Sequence, residues 1–169
     1  VGLDSSEVGN PPERFVAAYD RARGLGLRAV AHAGEEGPPA YITGALDTLG
    51  VERIDHGVRC LEDDDLVARL RRDQVPLTVC PLSNLALKVV DDLADHPLPR
   101  LLDEDLLVTI NSDDPAYFGG YVGDNYRAIA DTFGLDDATL AGLARNSITA
   151  SFLDDAARQV HLDAIDAAH

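Results

Sequence analysis

The sequence predicts an α/β fold built on parallel strands, and three observations lead to that expectation. Short apolar runs alternate with longer segments whose apolar residues recur at helical spacing. The runs are almost continuously apolar, as expected for strands buried on both faces of a parallel sheet. Polar residues follow each run directly. Because parallel strands end at the same edge of a sheet, these polar residues are expected to converge.

The elements can be placed in order from local signals. A helix opens at Pro11-Pro12 and stops at Gly24, a second spans about 39–49 before Gly50, and a third spans about 62–72 with acids first and arginines last. The tail, about 124–169, has no strand signal and reads as three helices, two of them starting near Asp136-Asp137 and Ser151. Strands are expected at 1–3, 27–31, 53–55, 76–80 and 106–110.

Five strands indicate part of a larger architecture. A complete (β/α)8 barrel takes about 250 residues and at least about 200, whereas this chain has 169. We therefore expect a single-domain fragment over 1–169: a partial TIM barrel with about the last five parallel strands and a helical C-terminal tail. The unpaired strand edges would favour association with the missing N-terminal half or with a second copy.

The charge balance limits the partners. With 30 acidic and 14 basic side chains, the formal charge is −16 and the sequence pI is near 4.4. No basic run is present, which argues against nucleic acid and anionic membranes as partners. No apolar stretch approaches the roughly 20 residues of a membrane span, and two isolated cysteines form no disulfide framework. These features predict a cytoplasmic protein that binds a small molecule.

The polar residues at the strand ends include the ingredients of a hydrolytic metal site. Each one alone is more often a helix cap, a turn residue or a solvated loop residue. Together, two histidines, a glutamate and an aspartate can bind Zn²⁺ and activate water. Surface exposure is the expectation for His96, His161 and His169, which are given no role. The five segments are Asp4-Ser5-Ser6-Glu7, His32-Ala33-Gly34-Glu35, His56-Gly57, Pro81-Leu82-Ser83-Asn84 and Asn111-Ser112-Asp113-Asp114-Pro115.

Three of these stretches carry a resemblance to a known family. His32-Ala33-Gly34-Glu35, Arg53-Ile54-Asp55-His56-Gly57 and Asn111-Ser112-Asp113-Asp114-Pro115 occur in that order, each after a predicted strand. In this the chain resembles the adenosine/adenine/AMP deaminases, which are metal-dependent β/α barrels. The resemblance covers essentially the whole chain, from the end of the family's fourth strand to the helices after its eighth, so the first three and a half β/α units are expected to be absent.

The resemblance implies a role for each matching residue. His32 and Asp113 would be ligands of one Zn²⁺ ion, and His56 would orient and help deprotonate the water that the metal activates. Glu35 would donate a proton to the purine ring nitrogen next to the attacked carbon. Asp114 would hydrogen-bond the nitrogen of the purine's imidazole ring.

Loop residues indicate a branch within the family. The stretch Gly2-Leu3-Asp4-Ser5-Ser6-Glu7 is similar to the adenine deaminases, as is Cys80-Pro81-Leu82-Ser83-Asn84. Ser5 stands where adenosine deaminases usually have a loop glycine, and its side chain would close space that a ribose needs. The implied reaction is hydrolysis of adenine to hypoxanthine and ammonia, with adenosine to inosine as the alternative.

One departure bears on activity. The family takes two zinc-binding histidines from an H-x-H, and this sequence contains no H-x-H. Because structural and catalytic zinc sites need three or four protein ligands, we expect the isolated chain to be inactive. Two alternatives remain: a non-catalytic remnant that acts as a binding or assembly module, and another amidohydrolase with the same metal logic and a different substrate.

Overall fold

The computed structural model describes residues 1–168. Its strands are β1 (Val30–Ala33), β2 (Arg53–His56), β3 (Leu77–Val79) and β4 (Val108–Ile110). Its helices are α1 (Val16–Gly24), α2 (Pro39–Gly44), α3 (Asp64–Asp73), α4 (Pro81–Ala86), α5 (Leu98–Asp103), α6 (Pro115–Phe118), α7 (Val122–Phe133), α8 (Asp137–Thr149) and α9 (Asp155–Ala168). A short 3-10 helix (Pro12–Phe15) leads into α1, and a π-helical turn (Ala45–Leu49) extends α2.

The strands form a parallel sheet in chain order, β1-β2-β3-β4. Val30 lies opposite Arg53 and Ala33 opposite His56, while Ile54 lies opposite Leu77. A helix follows each strand, so the predicted α/β class is confirmed.

Residues 1–3 pair with β1 in the manner of a further strand. Val30 donates its N–H to the carbonyl of Val1 at 2.9 Å and accepts from Leu3 N–H at 3.3 Å. His32 then donates to the carbonyl of Leu3 at 2.8 Å. Val30 thus bonds to Val1 through its N–H and to Leu3 through its carbonyl, which is the hydrogen-bond pattern of parallel strands. These three residues therefore correspond to the first predicted strand.

The chain divides into two compact units. The first comprises Val1–Val79 and Arg100–Leu107, and the second comprises Cys80–Pro99 and the residues from Val108 onward. Strand and helix side chains fill the first unit's core, and Leu98, Ile110, Ile129 and Leu143 fill that of the second. The fully buried core residues of the first unit include Ala31, Ala33, Ile42, Leu49, Ile54, Leu70, Leu77 and Val79.

Capping fixes the ends of α3 close to the prediction. The Asp63 carboxylate accepts the N–H groups of Asp65 and Leu66, each at 3.1 Å. Acids occupy the first turn and arginines the last, which complements the helix dipole.

Two predicted starts were wrong by three residues or more. The strand expected at 27–31 begins at Val30, because Leu27 N–H still bonds the Ala22 carbonyl at 3.1 Å and so completes the end of α1. The last helix begins at Asp155 rather than near Ser151. Its cap is Asp154, whose carboxylate accepts the N–H of Ala157 at 2.8 Å. Across residues 1–168, every helix is too short or too polar to cross a membrane.

Candidate active site

Three of the predicted site residues come together in the first unit. His32 lies on β1, Glu35 follows that strand, and His56 ends β2. Glu35 Oε1 lies 3.1 Å from His56 Nδ1, and Glu35 Oε2 lies 3.9 Å from His32 Nε2. The two imidazole rings meet edge to face, with centroids 4.2 Å apart. The parallel register of β1 and β2 therefore brings two histidines and one carboxylate to the same end of the sheet.

The backbone at these positions is constrained. Gly34 has φ +74°, and a Cβ there would lie 2.4 Å from Ile42 Cδ1, so only glycine allows the turn between His32 and Glu35. Ser5, His56 and Asp113 also have positive φ, at 70°, 64° and 55°. Side-chain-bearing residues rarely adopt this conformation, and where they do the strain is concentrated at functional sites.

Burial controls the charge of the histidine at the centre of the cluster. His56 is 2% exposed and Glu35 is 4% exposed. Burial, with a smaller electrostatic contribution from the neighbouring His32, lowers the pKa of His56 to about 3. The imidazole is therefore neutral near pH 7, the form that can accept a proton or bind a metal.

The donor set fits a zinc ion. The candidate ligand atoms of His32, Glu35 and His56 all lie within 4.8 Å of one another. Imidazole nitrogen and carboxylate oxygen are both common zinc ligands. His32 Nδ1 lies 3.3 Å from the Ser5 carbonyl oxygen. Because a carbonyl only accepts, the proton belongs on Nδ1, and the Nε2 lone pair is available to a metal.

A cavity adjoins His32 within the same unit. Its volume is about 350 Å³, and its lining includes Asp4, Ser5, Glu7, His32 and Tyr41. Ser5 lines this cavity, and its predicted place at the substrate site stays a prediction. The space is of the size that small-molecule sites occupy.

Glu7 is a residue to which the sequence assigned no role. It is 5% exposed, and its carboxylate accepts the N–H groups of Gly34, Glu35 and Gly37 at 2.9, 3.1 and 2.7 Å. Charged residues after a strand are usually exposed to solvent, so the sequence offered no reason to expect a buried role for Glu7. The sequence feature that could have indicated this contact is the pair of glycines on either side of Glu35. Glycines permit a close approach of the backbone to another group.

The predicted aspartates lie in the second unit. Asp113 accepts a hydrogen bond from Ser83 Oγ at 2.6 Å, and Ser83 is fully buried in α4. Asp114 is exposed at the N-terminus of α6, where its side chain makes no capping hydrogen bond. The sequence analysis named both aspartates and included Ser83 among the polar residues at strand ends, but it did not predict that Ser83 bonds Asp113.

The expectation for His96 was wrong. This histidine is 3% exposed, with Nε2 3.0 Å from Asn84 Oδ1 and with Nδ1 accepting the Leu98 N–H at 3.0 Å. Two complementary partners make burial favourable, although the loop sequence looked polar. His161 is exposed as predicted, and His169 lies outside the described residues.

Comparison with known proteins gives a consistent family. The family model described as adenosine deaminase matches residues 1–168. An adenine deaminase of Sphingopyxis alaskensis is 64% identical over 167 residues, which are 99% of this chain and 49% of that protein. An adenine deaminase of Streptomyces coelicolor is 64% identical over 155 residues, 92% of this chain and 46% of that protein.

Solved structures agree with these matches. The crystal structure of an adenine deaminase from Arthrobacter aurescens has 59% identity and a TM-score of 0.96, covering 98% of this chain and 50% of that one. An amidohydrolase from Burkholderia ambifaria, solved with bound Zn, has 30% identity and a TM-score of 0.90, covering 98% of this chain and 46% of that one. The chain thus spans about half the length of the relatives it matches, and its sheet corresponds to half of a TIM barrel.

Proposed function

Because the chain belongs to the adenosine deaminase family, we propose that it forms part of a zinc-dependent enzyme that hydrolyses adenine to hypoxanthine and ammonia. The observation that carries the proposal is the cluster of His32, Glu35 and His56 at the ends of adjacent parallel strands. The activity is assigned to the complete protein that contains this chain, because the relatives are about twice as long as the matched region.

The proposed roles follow from the chemistry of each group. His32 and Asp113 would hold one zinc ion, which when bound supplies a water activated for attack near neutral pH. Glu35 gives a proton to the purine ring nitrogen and so relieves the electron density that builds up during attack. His56, neutral and buried beside Glu35, accepts a proton from the water that attacks the ring. Asp114 presents an exposed carboxylate that can accept a hydrogen bond from the base.

The zinc assignment has two supports. Imidazole nitrogen and carboxylate oxygen, the donor types that His32 and Asp113 offer, are common zinc ligands, and a relative with 30% identity was solved with bound Zn. The sequence lacks an H-x-H, so this chain does not supply the full ligand set of the family. We therefore propose that residues 1–169 alone do not catalyse the reaction.

The residue at position 5 favours adenine over adenosine as the substrate. Ser5 has φ +70° and lines the cavity beside His32, and its side chain occupies space where a glycine would leave room for a sugar. The relatives of about 60% identity are described as adenine deaminases. Adenosine remains the second candidate substrate.

The role of Glu35 gives a direct test. Ammonia release from adenine and from adenosine is measured with the complete metal-loaded protein and its Glu35→Gln and Glu36→Gln variants. Loss of the proton donor should lower kcat on adenine at least about 100-fold, whereas exposed Glu36 serves as the matched control. Full activity of Glu35→Gln would overturn the proposed chemistry and favour another amidohydrolase reaction, since ring protonation is specific to purine attack.

A further inference from the structure

The buried carboxylate of Glu7 holds the loop that carries Glu35. Glu7 Oε2 accepts the N–H groups of Gly34 at 2.9 Å and Gly37 at 2.7 Å, while Oε1 accepts the N–H of Glu35 itself at 3.1 Å. One side chain therefore fixes three peptide groups over four residues, including the peptide nitrogen of the proposed proton donor.

This arrangement requires a carboxylate and glycine together. A buried carboxylate is costly unless several donors replace its lost water, and here three backbone dipoles do so. A Cβ on Gly37 would lie 2.5 Å from Glu7 Oε2, so a larger residue would displace the carboxylate. The close contact therefore depends both on the Glu7 carboxylate and on glycine at position 37.

Arg59 holds the opposite side of the same loop. Its backbone N–H donates to the Gly34 carbonyl at 2.9 Å, and its Nη1 donates to the Glu36 carbonyl at 2.5 Å. The guanidinium is itself fixed by Glu62, at 2.7 and 2.9 Å. The loop is therefore clamped through its N–H groups by Glu7 and through its carbonyls by Arg59.

We propose that Glu7 is a positioning residue for Glu35: it sets the place of the Glu35 carboxyl through three backbone hydrogen bonds and does not take part in proton transfer itself. This inference rests on the proposed function for the part that concerns catalysis. Both Glu7 oxygens are occupied by the loop, so a role in positioning explains the geometry better than direct contact with substrate, although Glu7 also lines the cavity.

The first experiment measures the loop without reference to activity. Hydrogen exchange at Gly34, Glu35 and Gly37 is compared among the unsubstituted complete protein, Glu7→Gln and Glu36→Gln. Glutamine keeps one acceptor oxygen and turns an NH₂ toward at least one loop N–H. We expect exchange at these three amides to speed up at least about 10-fold in Glu7→Gln, with the amide of Ile54 in β2 unchanged. Equal protection in both variants, or a uniform loss across the chain, would overturn the proposal.

The second experiment separates positioning from binding and from folding. In the metal-loaded complete protein, Glu7→Gln should lower kcat about 10- to 100-fold with KM changed less than about 3-fold, and it should add little to Glu35→Gln. A raised KM with unchanged kcat, or a loss proportional to the unfolded fraction, would contradict the positioning role.

The two experiments also cover a Glu7→Gln variant that does not fold and an unsubstituted protein without deaminase activity. If Glu7→Gln yields no folded protein, Glu7→Asp replaces it, because aspartate keeps the charge and is one methylene too short to reach all three amides. If the unsubstituted protein deaminates neither adenine nor adenosine, the proposed function fails, and the exchange experiment alone upholds or overturns the hold of Glu7 on the Glu35 loop.

Discussion

At the scale of single residues, part of the candidate site has a backbone conformation that side-chain-bearing residues rarely adopt. Among the described residues, six non-glycine residues have positive φ, and three of them, Ser5, His56 and Asp113, are predicted site residues. Their types and their places after strands were predictable from the sequence. Their backbone conformation was not, because their residue types do not favour positive φ as glycine does. Glu7 was missed for a related reason: its three partners lie 27 to 30 residues away in the sequence.

Ser5→Gly tests whether this strain is present for function. Because φ at Ser5 is +70°, glycine should raise the free energy of unfolding by about 0.5–1 kcal/mol, even after its added freedom in the unfolded chain. In the complete protein, the wider cavity should raise kcat/KM for adenosine relative to adenine.

Ser6→Gly is the matched control for that change. Ser6 also lines the cavity, and it is not among the residues with positive φ. Glycine there should destabilise the chain, as measured by urea unfolding. A stabilising Ser6→Gly, or a Ser5→Gly variant without gain in stability or change in substrate ratio, would remove the basis for the Ser5 argument.

At the scale of elements, the predicted alternation of strands and helices was confirmed, whereas the short helices α4, α5 and α6 were not predicted. The errors in the predicted bounds fall where capping or tertiary contacts decide. Leu27 N–H bonds the Ala22 carbonyl in the turn after α1, so β1 begins later than predicted. Asp154 caps α9, so that helix also begins later than predicted. The loop 87–97 between α4 and α5 is the clearest case. His96 in this loop was expected to be exposed, yet it is buried and contacts Asn84 of α4 and Leu98 of α5.

This inward histidine makes the stability of the chain depend on pH. Burial lowers the pKa of His96 from 6.5 to about 4, so the unfolded chain binds the proton first. The contribution of neutral His96 is therefore fully present above about pH 6.5 and is lost as the pH falls toward about 4. Between about pH 7.5 and pH 5 the free energy of unfolding should fall by about 2 kcal/mol from this residue.

Urea unfolding at both pH values measures that loss. His96→Gln removes the titrating ring. Between the two pH values, its free energy of unfolding should fall by about 2 kcal/mol less than that of the unsubstituted chain. His161→Gln, at an exposed histidine, should behave like the unsubstituted chain. Equal pH dependence in all three proteins would show that His96 does not have a lowered pKa.

At the scale of the whole molecule, the alternation of strands and helices was enough to predict the α/β class and half of a TIM barrel. Convergence of His32, Glu35 and His56 followed from parallel strand ends. The ligand set could not be completed from this sequence, because metal sites on barrels draw residues from many strands and no H-x-H is present. The proposed activity is therefore assigned to a protein that contains all of these strands.

Metal removal and return in the complete protein is the measurement that tests the central claim most directly. Adenine hydrolysis is followed before chelation, after chelation, and after titration with Zn²⁺. We expect hydrolysis to fall at least about 100-fold on chelation and to return at one zinc ion per chain. Undiminished adenine hydrolysis by metal-free protein, or no adenine hydrolysis by protein that holds one zinc, would contradict the account.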